Sequence, residues 1–236
     1  MKKPDGPAKL PIMAQSPWIS PRAAIHWLLP LYRQRVRAPY LRIRTWLRCK
    51  RLARMPVPRQ LEIGPGSLQP PPGWLTLDLY STATFFADLR QPLPFPTDIF
   101  DTVYCSHVFE HFTIIELRRI FAECFRIIRP GGTLDVVVPN GGLYVRAYGD
   151  EAVRCELLGH IGHSPDFDVG TRMDLVNHMA HMCGEHRFLF DEDNLVSLFR
   201  QAGFVDARSR AFDAKREHES RRFESICAVG RKPLAQ

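Results

Sequence analysis

Three places in the chain concentrate side chains that could do chemistry. The stretch CSHVFEH, Cys105 to His111, puts two histidines and a glutamate within seven residues. These are the side-chain types that move protons near neutral pH. His111 is the candidate base, with His107 behind it and Glu110 beside both; the alternative, that either histidine only caps or orients a loop, stands on equal footing. Upstream, LEIGPG runs a short apolar strand, Leu61 to Ile63, into Gly64-Pro65-Gly66. Glycines there let the backbone approach a ligand that a Cβ would hold off. A third group gathers His178, His181, Glu185 and His186. Metal binding would need these side chains to converge, and no thiolate is spaced to join them, so the expectation is no metal.

The elements that must position these groups read as alternating strands and helices. Strands are expected at Leu61–Ile63, Trp74–Leu79, Thr102–Ser106 and Thr133–Val138, with a terminal pair near Phe204–Phe212 and Phe223–Arg231. A helix from about Ile114 to Ile128 is signalled by Leu117, Ile120, Phe121, Cys124 and Phe125 on one face, and by Thr113 with Glu116 as a capping box. RPGG, Arg129 to Gly132, is expected to stop it by turn chemistry. A second helix is expected from about Glu192 to Ala202, with Asp191 as its N-cap. The fold class is α/β: a doubly wound, Rossmann-like, mostly parallel sheet with an antiparallel terminal pair. One feature breaks the rule. After Gly66 come Leu68, Gln69 and Pro70-Pro71-Pro72, so the first crossover helix is replaced by a short proline-rich loop.

LEIGPG, LTLDLY, ADLRQPLPF, FDTVYCSHVFEHF and FRIIRPGGTLDVVVPN, in that order, resemble class I S-adenosylmethionine-dependent methyltransferases. The likeness is to the compact type 11 branch, and it covers about residues 60 to 230. The resemblance implies S-adenosylmethionine as cofactor. It implies that Glu62 holds the methionine end, and that Gly64, Pro65 and Gly66 form the close loop. Asp78 with Leu79 would take the ribose hydroxyls, and Asp88 with Leu89 the adenine. Cys105, Ser106 and His107 would lie beside the methionine moiety. Asn140, Tyr144 and His186 are the candidate acceptor contacts, with an insert at about residues 141–190 over the acceptor pocket. The acceptor is expected to be a small molecule or a glycan- or lipid-linked group, with O-methylation favoured over N- or C-methylation.

Two other classes remain open on the residues alone. A nicotinamide-dependent oxidoreductase also uses a glycine loop and an acid in the place of Asp78, but it seats a pyrophosphate on a helix N-terminus, and the triple proline argues against that helix. A non-catalytic methyltransferase-like module docked through a basic arm is the other. Between Asp5 and Glu62 the chain has no acidic residue, while arginines accumulate from Arg22 to Arg54. That asymmetry marks residues 1–57 as a basic, aromatic-rich helical arm joined to a domain at 58–236. Packing on the domain, adsorption to an anionic membrane surface and nucleic-acid contact compete for it, the last without any RNA-binding signature. The apolar stripe from Tyr40 to Leu52 is expected to cover the sheet face left bare by the missing helix. Six scattered cysteines and no long apolar run suggest a reduced, cytoplasmic protein, peripheral to a membrane at most.

Overall fold

Apolar residues alternate along the strands, and the pairing register carries that alternation across the sheet. The strands are β1 (Gln60–Ile63), β2 (Leu75–Asp78), β3 (Phe85–Phe86), β4 (Phe100–Ser106), β5 (Ile128–Pro139), β6 (Val205–Arg210) and β7 (Ser225–Arg231). They form one seven-stranded sheet in the order β3-β2-β1-β4-β5-β7-β6. All pairs are parallel except those made by β7, which runs antiparallel between β5 and β6. The expected α/β class and its antiparallel terminal pair are therefore present. This computed structural model describes residues 37–57, 59–66, 70–79, 82–161, 170–217 and 219–235. The chain divides into two compact units, Met1–Tyr40 and Leu41–Gln236. Most of the expected arm, including Arg22, Trp27 and Arg33, falls outside the described residues.

One sheet face is apolar. Leu61, Ile63, Leu77, Val103, Cys105, Leu134 and Val136 are buried there, in one cluster with two helices. The first, α2 (Ile114–Ile127), contributes Leu117, Ile120, Phe121, Cys124 and Ile127; both halves of its capping box are made by Thr113 and Glu116. The second, α6 (Glu192–Gln201), starts from Asp191 as predicted and buries Leu195, Leu198 and Phe199. Helix α2 ends at Ile127, and RPGG falls in β5 as a bulge: Ile128 pairs with Phe100 and Thr133 with Thr102, so three extra residues lie on β5 between these pairs. Gly131, at φ +79°, absorbs the irregularity and donates to the Lys232 carbonyl at 2.9 Å.

The other face carries Glu62, Thr76, Tyr104 and Asp135 at paired positions. No helix of residues 64–66 or 70–74 covers it, as the proline-rich loop predicts. Cover comes from the segment after β6. Arg216 stacks over Tyr104 and Trp74, 4.4 and 5.1 Å from the ring centroids, and donates to Asp135 at 2.9 Å. Arg210 also binds Asp135, and its other arm reaches Glu217, so the buried carboxylates are paired.

Helix α1 (Ala38–Leu52) does something other than cover that face. Its buried residues are Leu41, Thr45 and Leu52, and Leu52 joins the apolar cluster on the opposite side. Thr45 Oγ1 accepts from the Phe86 amide at 2.8 Å, Arg44 donates to the Ala83 carbonyl at 2.9 Å, and Arg48 donates to the Thr84 carbonyl. The helix thus satisfies the backbone groups of β3, the edge strand, which would otherwise be a template for pairing. Tyr40, Ile43, Trp46 and Leu47 stay exposed. Between β5 and α6, three helices, α3 (Gly141–Gly149), α4 (Glu151–Ile161) and α5 (Arg172–His181), bury Leu143, Tyr144, Leu157, Leu175 and Met179 as a small core of their own.

Candidate active site

Beyond β1 the chain bends back at Gly64, φ +70°, and Gly66, φ +60°. The Gly64 amide donates to the Leu77 carbonyl at 2.8 Å, and the Gly66 amide donates to Asp78 Oδ2 at 3.0 Å. Glycine is required most at position 64, where a Cβ would fall 2.2 Å from Val108 Cγ2; at Gly66 only the backbone angle demands it. Pro65 is buried in the bend.

These elements enclose a cavity of about 220 Å³. Gly64, Asp78, Leu79, Asp88, Leu89 and His111 of the predicted set line it, together with Ile63, Leu77, Arg90, Val108 and Phe112. Asp78 and Asp88 supply its carboxylates among mostly apolar walls. Asp88 also makes a local turn, accepting from the Arg90 amide at 2.9 Å, and Arg90 spans from Glu116, at 3.2 Å, to the ring of Phe112. Arg90, Val108 and Phe112 escaped the sequence reading, although Phe112 directly follows CSHVFEH. Such a pocket fits an adenosine group: the glycine bend allows close approach, Asp78 offers an acceptor for a diol, and among the described residues no α-helix starts at the bend to seat a phosphate.

Glu62 lies elsewhere. It opens into a second cavity of about 400 Å³ with Pro70, Pro72, Trp74, Tyr104 and Arg216. Its Oε2 is buried with no hydrogen-bond partner among the described residues. Burial raises its pKa, against the pull of Arg216.

His107 follows β4 in the left-handed region, at φ +53°, held by its amide to the Val137 carbonyl at 2.9 Å. Its Nε2 lies 2.9 Å from Ser225 Oγ and its Nδ1 3.6 Å from Glu110 Oε1. Ser225 pairs with Pro139 across β5 and β7, so an element more than a hundred residues away completes the site. No local pattern around FES marks it. Burial first, then the positive charge of Arg221 and the neighbouring histidines, push the His107 pKa down to about 3. Burial likewise pushes the buried Glu110 carboxyl up to about 8. At neutral pH the two are thus an uncharged acid beside an uncharged imidazole rather than an ion pair. Glu110 Oε2 has no partner among the described residues, while the Glu110 carbonyl accepts from the Arg187 and Phe188 amides.

His111 lines the smaller cavity, and its ring packs edge-on to His186 with centroids 5.4 Å apart. Its Nδ1 lies 3.1 Å from the Glu185 carbonyl. A carbonyl only accepts, so Nδ1 carries the proton, and in the neutral ring Nε2 presents a lone pair. His186 is fixed the same way, Nδ1 to the Met179 carbonyl at 2.7 Å.

The remaining predicted residues are placed as supports. Asn140 caps α3, accepting from the Leu143 amide at 3.0 Å, and Tyr144 is buried with its hydroxyl donating to Glu224. Ser106 and Cys105 end β4, Cys105 wholly buried in the apolar cluster. His178 and His181 occupy the last turn of α5.

Residues 78–136 match the family model described as a methyltransferase domain, of type 11. A comparison with curated proteins found no match. Among solved structures, an O-methyltransferase family protein from Burkholderia thailandensis is 14% identical with TM-score 0.49, covering 91% of this chain and 60% of its own. A SAM-dependent methyltransferase from Archaeoglobus fulgidus is 13% identical with TM-score 0.46, covering 88% of this chain and all (100%) of its own. One from Mesorhizobium loti is 16% identical with TM-score 0.45, covering 76% and 94%. Over residues 78–136 the chain is thus similar to a methyltransferase domain, and the glycine bend beside Asp78 lies at the edge of that match in a seven-stranded sheet of order β3-β2-β1-β4-β5-β7-β6.

Proposed function

We propose that the protein methylates an oxygen of a small-molecule, glycan-linked or lipid-linked acceptor, with His111 as the general base. One observation carries this reading: His111 belongs to the wall of the cavity beside Asp78 and Asp88, with its Nδ1 engaged on the Glu185 carbonyl, which leaves Nε2 of the neutral ring as the nitrogen able to accept a proton. When bound, S-adenosylmethionine supplies an electrophilic methyl carbon. Asp78 would hold the ribose hydroxyls, Asp88 and Leu89 with Phe112 would take the adenine, and the Gly64 bend would let the backbone come close to the ligand. His107, Glu110 and Ser225 form a mostly buried group behind β4, its first two members next along the chain to the Val108 and His111 of the wall. A hydroxyl must lose its proton as it attacks, whereas a neutral amine need not, so a base in the wall favours O-methylation.

The test combines calorimetry with S-adenosylmethionine, mass spectrometry of metabolites from cells with and without the protein, and rates for His111→Gln on the product found. Donor binding retained with a rate loss of roughly 10²–10⁴-fold is expected for a lost base. A wild-type rate in His111→Gln removes the base assignment, and binding of NAD without binding of the methyl donor overturns the whole reading.

A further inference from the structure

Helix α1 buries one side and leaves the other bare. Leu41, Thr45 and Leu52 face the domain, while Ile43, Trp46 and Leu47, spaced i, i+3 and i+4, are 60, 55 and 48% exposed. Val57, just beyond the helix, is 64% exposed. Large apolar side chains at one helical spacing are costly to leave in water, and a soluble helix normally turns them inward. Here the inward side is already used to seal β3.

The charge around this stripe has one sign. Helix α1 contains Arg42, Arg44, Arg48, Lys50 and Arg51 and no acid, and Arg54 follows it. Arg44 and Arg48 are spent on the carbonyls of Ala83 and Thr84. Arg42, Lys50, Arg51 and Arg54 are exposed. By helical phase Arg42 and Arg51 flank the apolar stripe on either side, and Lys50 lies within it with its ammonium 3.5 Å from the centroid of Trp46. An indole on an apolar stripe edged with cations matches the boundary between acyl chains and anionic headgroups.

We propose that this face of α1, Ile43, Trp46 and Leu47 rimmed by Arg42, Lys50 and Arg51, with the exposed Arg54 and Val57 after the helix, docks the protein on an anionic phospholipid surface. Charge complementarity selects this occupant. A second copy would set the same cations against one another across a two-fold contact. A nucleic acid would neutralise the charge but leave Ile43, Leu47 and Val57 with no apolar environment to enter. Lipid answers both halves of the surface. The helix lies in the interface plane, since no helix among the described residues is long and apolar enough to cross a membrane. The inference is independent of which acceptor is methylated.

The test is sedimentation of the full chain with vesicles of phosphatidylcholine alone and of phosphatidylcholine with phosphatidylglycerol. Binding is expected to the anionic vesicles only, and to weaken between 0.1 and 1 M salt as the screening length shrinks from about 10 to 3 Å. Each cation removed is expected to weaken partitioning about fivefold, so the triple variant Arg42→Gln, Lys50→Gln, Arg51→Gln loses on the order of 100-fold. Ile43→Ser with Leu47→Ser should lose at least roughly tenfold without altering the charge. Retained S-adenosylmethionine binding shows that the variants fold. Vesicle binding unchanged in both variants would assign it to another part of the chain and overturn the proposal. A native dimer that the Ile43→Ser, Leu47→Ser variant dissociates would overturn it in favour of self-association.

Discussion

Replacing Glu110 by Gln tests the electrostatics of the buried Glu110–His107 pair. The side chain is buried, one oxygen lacks a partner among the described residues, and its pKa is pushed from 4.5 up to about 8. A carboxyl whose folded-state pKa is raised stabilises nothing by ionising. Its contribution is fully present below the unfolded pKa and is lost as pH rises to the folded one. Between pH 4.5 and about 8 the unfolded chain releases a proton that the folded protein keeps, so stability falls along this interval. At 1.36 kcal/mol per unit, the loss between pH 5 and 8.5 is on the order of 4 kcal/mol, a large share of a typical domain's 5–15. Gln keeps the shape and cannot ionise, so the variant should match the wild type near pH 5 and exceed it progressively towards pH 8.5. Urea unfolding followed by circular dichroism and tryptophan fluorescence, at half-unit pH steps, reads this directly. Parallel profiles for the two proteins would refute the reasoning, because they would mean that Glu110 ionises in the folded state as it does in the unfolded. His107 has the opposite sign: its pKa is lowered from 6.5 to about 3, so its contribution is present above pH 6.5 and lost as pH falls towards 3. The acid limb of the profile should therefore survive in Glu110→Gln and flatten in His107→Asn.

Gly64→Ala should destabilise the fold by about 2–4 kcal/mol, combining the left-handed backbone with the 2.2 Å contact on Val108. Adding Val108→Ala should restore the steric part only, and a double-variant cycle with no coupling would show that the clash is absent. Asp78→Ala should weaken donor binding roughly 10- to 150-fold, the worth of hydrogen bonds to a charged group; unchanged calorimetric affinity removes the ribose assignment. Thr45→Val deletes the acceptor for the Phe86 amide and should cost about 1–3 kcal/mol in thermal or urea unfolding. A loss no larger than that of an exposed substitution would show that α1 does not protect the β3 edge.

The parts legible in the sequence are those in which local preference and tertiary context agree. The α2 helix was visible because its apolar period and its Thr113–Glu116 cap point the same way, and Asp191 marked the start of α6 for the same reason. At RPGG the turn chemistry is spent on a bulge inside β5, between the Ile128–Phe100 and Thr133–Thr102 pairs, which only the register reveals. Strand β3 has only two residues, too few for any period to show. Helix α1 was read as an amphipathic cover, but its inward side includes Thr45, whose hydroxyl serves an edge amide that no sequence pattern reveals. In the site, the cavity-lining Gly64, Asp78, Leu79, Asp88, Leu89 and His111 could be named from the ordered motifs and the resemblance they carry. Ser225 and Glu224 could not, because only the antiparallel return of β7 brings them beside Pro139 and Asn140.

His107 holds a left-handed backbone angle that glycine would adopt freely. An L-residue there carries about 1–2 kcal/mol of strain. A library of this protein selected for heat resistance alone should therefore drift to Gly or Asn at position 107, gaining tolerance while erasing the imidazole between Ser225 and Glu110. Screens for robustness and screens for turnover would pull this one codon in opposite directions.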